Sequence, residues 1–199
     1  GSLQSQLLHF HFAGRLRPRL KYLDPYERWI IKKFIALNRN GQPRYSYSIL
    51  VDRLGINRAT MTDVGEKALE IFNADNETIT KYPVHPLATF ELTDAQAKAV
   101  SSLERGTHQY DLLLFHFSGR LKQRLKYLDP YEQWIVQRLV ILARNGRQIR
   151  YLAQQLDTPY PHRFEKIVAE ALEIFAAKPT IIKTYPIHPR SKSKLTKAQ

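Results

Sequence analysis

Apolar residues recur at helical spacing along most of the chain, and turn residues interrupt them at regular points. Tyr26, Trp29, Ile30, Phe34 and Leu37 share one face of a 3.6-residue period. Asp24-Pro25-Tyr26-Glu27 supplies the start of that helix: an Asp to cap it, a Pro in the first turn, and a Glu that suits the helix dipole. Asn40-Gly41 ends it, as Asn145-Gly146 ends an equivalent helix later. Upstream, the spacing predicts a helix over about 4–22, with a counterpart over about 109–127. Thr93-Asp94-Ala95-Gln96 has the capping-box pattern and predicts a helix running to about Arg105, before Gly106. Thr78-Ile79-Thr80-Lys81-Tyr82 and Ala88-Thr89-Phe90-Glu91-Leu92 read as a packed connector, with a short β-hairpin, a wing, as the alternative and the prolines between them as its turn or as an extended strap.

The chain contains itself twice. Phe10-His11-Phe12-Ala13-Gly14-Arg15-Leu16 returns as Phe115-His116-Phe117-Ser118-Gly119-Arg120-Leu121, and Leu20 to Glu27 returns unchanged as Leu125 to Glu132. Ala68-Leu69-Glu70-Ile71-Phe72 returns as Ala171 to Phe175, and Tyr82-Pro83-Val84-His85-Pro86 as Tyr185-Pro186-Ile187-His188-Pro189. A period near 100 residues exceeds the ~20–50 of solenoid repeats and indicates a duplicated domain. The expected division is 3–90 for the first copy, 91–190 for the second, and 191–199 as a basic tail or the start of a further segment. Leu195-Thr196-Lys197-Ala198-Gln199 echoes Leu92-Thr93-Asp94-Ala95-Gln96, so a longer protein with further domains of the same kind is expected.

Charge narrows the function. Lys and Arg number 31 against 18 Asp and Glu, for a net charge of +13. Residues 3–90 carry 13 basic and 8 acidic groups, and residues 91–199 carry 18 and 10, so both copies are basic. Such an excess suits a polyanion, because neutralised phosphates release condensed counterions. With no cysteine, disulfides and cysteine-based zinc sites are excluded. No apolar run approaches the ~18 residues of a membrane span and no signal peptide is visible, so the expected location is cytoplasmic (nucleoid) or nuclear.

The segment Ser46-Tyr47-Ser48-Ile49-Leu50-Val51-Asp52-Arg53-Leu54-Gly55-Ile56-Asn57-Arg58-Ala59-Thr60-Met61-Thr62-Asp63-Val64 resembles the helix-turn-helix family of DNA-binding proteins. The resemblance covers about a fifth of one copy and names no narrower family. It implies that Val51 packs between the helices, that Gly55 turns the chain at a positive backbone angle, and that Leu50, Leu54, Ile56, Met61 and Val64 pin the pair together. It also implies a recognition helix from about Arg58 to Phe72 whose N-terminal residues enter a major groove. Asn57, Arg58, Thr60, Thr62 and Asp63 are then the base-reading candidates, since Arg suits guanine and Asn suits adenine. The second copy departs from the pattern. Leu152 to Leu156 keeps the first helix, but Asp157 replaces the turn glycine and Thr158-Pro159-Tyr160-Pro161 lengthens the turn. Its candidate readers are Tyr160, His162, Arg163 and Lys166, reading either a different half-site or mainly backbone.

A second basic feature recurs with its signs kept. Arg15, Arg17, Arg19 and Lys21 correspond to Arg120, Lys122, Arg124 and Lys126, while the neighbouring Ala13 and Pro18 change to Ser118 and Gln123. Phosphate clamping is the expected role, with pairing to Asp24 or Glu27 the alternative. Arg190, Lys192 and Lys194 make the region after the second copy's prolines a further phosphate-binding candidate, along a backbone or minor groove.

Other signals lead nowhere. His9-Phe10-His11 resembles the metal-binding triplet of rolling-circle nucleases, but it lies on a predicted helix and returns as Leu114-Phe115-His116. His85 and His188 stand between prolines without metal-ligand neighbours, and no phosphate loop or Ser-His-Asp arrangement stands out. The expected protein is all-α, with two tandem helix-turn-helix domains, and binds double-stranded DNA sequence-specifically. The expected roles are transcription regulator or DNA-targeting module of a replication or mobile-element protein. No catalytic residue, cofactor, metal or small-molecule substrate is expected. RNA binding and a protein-interaction scaffold are the rival readings.

Overall fold

The computed structural model describes residues 3–39, 51–52, 54–156, 161–193 and 195. The helix-stop pair Asn40-Gly41, the turn residues Asp157 to Tyr160, and Ser46 to Leu50, Arg53 and Lys194 lie outside the described residues. The chain divides into two compact units, 1–93 and 94–199, close to the boundary that the repeat implies. Among the described residues every regular element is helical, and no helix is long and apolar enough to cross a membrane.

Unit 1 comprises α1 (Leu3–Phe12), α2 (Leu16–Arg19) running into a 3-10 turn (Leu20–Tyr22), α3 (Pro25–Arg39), α4 (Arg58–Asn73) and α5 (Asn76–Lys81). Unit 2 comprises α6 (Asp94–Ser101), α7 (His108–Phe117), α8 (Arg120–Arg124) with its 3-10 turn (Leu125–Tyr127), α9 (Pro130–Arg144), α10 (Ile149–Gln155), α11 (Pro161–Ala176) and α12 (Pro179–Ile182). The duplication is therefore structural as well as sequential: α7, α8, α9, α11 and α12 repeat α1 to α5.

The start of α3 forms as its residues dictate. The Glu27 amide donates to Asp24 Oδ1 (2.9 Å) and the Asp24 amide to Glu27 Oε2 (3.0 Å), a reciprocal cap that Asp129 and Glu132 rebuild on α9. Burying the apolar stripes of α1, α3 and α4 against one another makes the core of unit 1. Leu7, Ile30, Phe34, Met61, Val64 and Ala68 are all fully buried there. Each large side chain contributes roughly 1.5–3 kcal/mol relative to exposure. Phe10 meets Phe72 at a ring separation of 5.9 Å, and Phe115 meets Phe175 at 6.1 Å in unit 2.

Three expectations need correction. The helix anticipated over 4–22 is broken, because Gly14 takes φ +71° and its amide and that of Arg15 bond back to His11 and Phe10, closing α1. Gly119 breaks the counterpart at φ +76°. The β-hairpin does not form: Thr78-Ile79-Thr80 lies inside α5, where Asp75 caps the Thr78 amide at 2.7 Å and Glu77 sits in the first turn. That cap and the favourable dipole contact outweigh the β-branched preference. The segment after α5 forms a strap without regular structure that turns over 86–89, pinned where the His85 amide donates to the Lys21 carbonyl (3.0 Å), as His188 does to Lys126 (3.0 Å). Finally, α6 ends at Ser101, four residues before the expected Arg105.

Arg28 fastens the strap from beneath. Nη2 donates to the carbonyls of Leu87 and Phe90, both at 2.6 Å, and Gln133 makes the shorter equivalent reach to Ser191 (3.1 Å). Burial lowers the Arg28 pKa, against the opposing pull of Asp24, Glu91 and Glu27.

Candidate nucleic-acid interface

The segment before α4 turns as a glycine there allows. Residues 51, 52 and 54 are helical, and Gly55 follows at φ +61°. The Ile56 amide bonds the Val51 carbonyl (3.1 Å) and the Gly55 amide bonds that of Asp52 (3.2 Å), a paired C-terminal cap that requires the left-handed residue. Ile56, Met61 and Val64 are buried, and Val51 and Leu54 are half-buried.

α4 begins at Arg58, where the helix-turn-helix resemblance puts the start of its second helix, and the candidate readers differ in exposure. Asn57 is the cap of α4: its side-chain oxygen accepts the Ala59 amide at 2.8 Å. Asn57 is exposed, and its amide oxygen, with two lone pairs, caps the helix through one of them. Thr62 is half-buried, with its hydroxyl donating to the Arg58 carbonyl (3.1 Å), and Thr60 is also half-buried. Arg58 and Asp63 are exposed. In unit 2, His162, Arg163 and Lys166 are exposed, and Lys166 lies 3.8 Å from Glu170 one turn on. Tyr160 lies outside the described residues.

Both helices carry a charge gradient along their outward faces. On α11, His162, Arg163 and Lys166 occupy the first turns with Glu165, while Glu170 and Glu173 occupy the later ones. On α4, Arg58 leads, Asp63 and Glu66 follow, and Glu70 stands near the end. Lys67, the other cation on α4, is held by buried Glu27 at 2.8 and 2.9 Å. The N-terminal turns of both helices are thus their more positive ends, and the helix dipole adds to that potential.

The basic cluster before α3 separates into two roles. Arg19 turns inward: Nη1 donates to the carbonyls of Ile71 (2.8 Å), Phe72 (3.0 Å) and Ala74, closing the C-terminus of α4. Arg124 does the same to Ile174, Phe175 and Ala177 at 2.7, 2.9 and 2.7 Å, and burial lowers its pKa. Their persistence between the copies therefore has a structural cause, and the expected phosphate role is corrected for both. Four unpaired carbonyls end every helix, and a planar cation covers several at once. Burial also lowers the pKa of half-buried Arg120. Arg15, Arg17, Lys21, Lys122 and Lys126 are exposed, with Lys21 and Lys126 lying 5.2 and 5.3 Å from the rings of Tyr22 and Tyr127. Arg190 and Lys192 are exposed, and Lys194 lies outside the described residues.

Arg19 also fixes where the exposed cations sit. It ties their segment to the C-terminal end of α4, and α4 has 16 residues, about 24 Å of helix. Arg17 and Lys21 therefore stand a helix length from Arg58, a separation repeated in unit 2 and invisible in the residue order. Among the described residues, no group of three or more His, Asp and Glu side chains is placed to hold a metal. No family model matches the chain, and no curated protein or solved structure matches it significantly.

Proposed function

We propose that the chain binds double-stranded DNA, each unit offering the N-terminal turns of one helix, α4 or α11, to a major groove. The reading rests first on the charge gradient of those helices. Apart from Glu165, cationic and neutral groups lead and carboxylates trail, so a groove lined by phosphates favours the leading end. The turn at Gly55 and the buried Ile56, Met61 and Val64 support a helix-turn-helix pair in unit 1. Arg58 is the reader in unit 1, with Thr62 at the groove wall; His162, Arg163 and Lys166 take that place in unit 2. Exposed Arg17, Lys21, Lys122 and Lys126 then grip phosphates a helix length away from the bases read.

Two linked units raise affinity through effective concentration, so one chain spans a composite site. A transcription regulator, or the targeting module of a replication or mobile-element protein, uses such a site. The test is fluorescence anisotropy with a labelled random-sequence duplex across a salt series. The proposal expects log affinity to fall linearly with log salt, with a slope of about −4 for four phosphate contacts. Absence of duplex binding at low salt, or preference for single-stranded RNA, refutes it.

A further inference from the structure

A cleft of about 960 Å³ opens in unit 1 between the α2 segment, α3 and the strap. Its floor is apolar: Leu16, Leu20 and Ile35 are buried core residues, and Ala36 presents only a methyl group. Its rim is cationic, carrying Arg17, Lys21 and Lys32. The one carboxylate there, Glu91, is already paired with Lys32. The volume lies at the upper end of the roughly 300–1,000 Å³ typical of small-ligand sites, and an apolar floor with a few convergent polar groups is their usual chemistry.

We propose that this cleft binds a small amphiphilic anion, its carboxylate or phosphate head between Arg17 and Lys21 and its apolar body on the Leu16, Leu20 and Ile35 floor. Duplex DNA uses the rim alone, because a phosphate backbone has nothing to lay on an apolar floor. The copies differ at this place. Where unit 1 has Ala36, Lys32 and Glu91, the repeat sets Ile141, Gln137 and Lys194, and Ile141 stands half exposed. The duplication thus supplies a larger side chain for the floor, Ile141 in place of Ala36, and it is this floor that assigns the site to the first copy. The proposal does not rest on DNA binding.

The test is titration of the DNA-free chain with octyl phosphate below its micelle concentration, read by NMR at the methyl groups of Leu16, Leu20 and Ile35. Octanol, inorganic phosphate and anionic vesicles are the controls. Saturable shifts at these methyls are expected with octyl phosphate, with binding at least about tenfold weaker for octanol and for inorganic phosphate. Ala36→Ile, which installs the second copy's residue at an exposed position, is expected to weaken octyl phosphate at least about tenfold, and Lys21→Gln to remove the preference over octanol. Methyl spectra of both variants that match the parent establish that they fold. Equal binding of octanol, equal binding of inorganic phosphate, no effect of Ala36→Ile, or no saturable shift overturns the proposal. So does co-sedimentation with the vesicles in place of monomer binding, which makes the face a membrane contact.

Discussion

The guanidinium of Arg19 donates to the carbonyl oxygen of Phe72 at 3.0 Å, and Arg124 repeats the bond to Phe175 at 2.9 Å. Each arginine covers three carbonyls at a helix end, and each does so across 50 or more residues of sequence. Arg19→Ala is expected to destabilise unit 1 by about 2 kcal/mol, the scale of charge-assisted bonds at a partly exposed site. Arg19→Lys restores about half, since an ammonium lacks the planar fork. Urea denaturation measures both. Duplex affinity of the folded Arg19→Ala protein remains at the parent level; a loss of affinity without a loss of stability contradicts the capping role.

Gly55 is held at φ +61°, with nothing within 4 Å of the position where a Cβ would stand. Gly55→Ala therefore meets backbone strain and no clash. The expected cost is roughly 1–2 kcal/mol, the price of the left-handed region for an L side chain. Gly55→Asn loses less, because its short amide tolerates that region. Equal loss for Ala and Asn in thermal unfolding speaks against a backbone origin.

Asp111 lies in the first turn of α7, where burial raises its pKa despite the opposing influence of His108. A raised carboxyl binds its proton more tightly in the folded state than in the unfolded one. Unit 2 therefore gains stability as pH falls from the raised value toward the ordinary carboxylate value, and carries the full penalty above the raised value. Asp111→Asn is expected to stabilise the protein at pH 7 and to lose that advantage near pH 4. The first copy has the neutral Gln6 at the corresponding position. Melting temperatures across pH 4–8 check the sign, and a variant that is less stable at pH 7 contradicts it.

Arg17 and Lys21 are exposed and stand far along α4 from Arg58. Replacing both with Gln is expected to weaken all duplexes by a common factor and to flatten the salt slope by about 2. The ranking of sequences stays as in the parent. A changed ranking, measured by competition among several duplexes, places these residues at the bases instead.

Much of this was legible in the residue pattern and some was not. The α3 and α9 starts were, because Asp-Pro-Tyr-Glu holds every part of a local cap. The positive angle at Gly55 was, because a tight turn between apolar pins demands it. The break at Gly14 was hidden by apolar spacing that continues through Leu16 and Leu20. The alternative of a hairpin falls because Thr78-Ile79-Thr80 speaks for a strand only until Asp75 acts as a cap. Arg19 and Arg124 were misread because a preserved charge looks the same whether it faces a phosphate or a carbonyl. The cap that Asn57 gives α4 was not read from the residues, since an amide serves a helix start as readily as an adenine. Local signals carry caps and turns; partners 50 or more residues apart emerge only with the packing.

Selection of bound duplexes from a random pool, followed by sequencing, with the parent chain and with Arg58→Ala, tests the central claim most directly. The account predicts one enriched motif for the parent, and loss of preference at one or two of its positions in Arg58→Ala, at a cost of about 1–3 kcal/mol. An unenriched pool, or a motif left intact by Arg58→Ala, contradicts it.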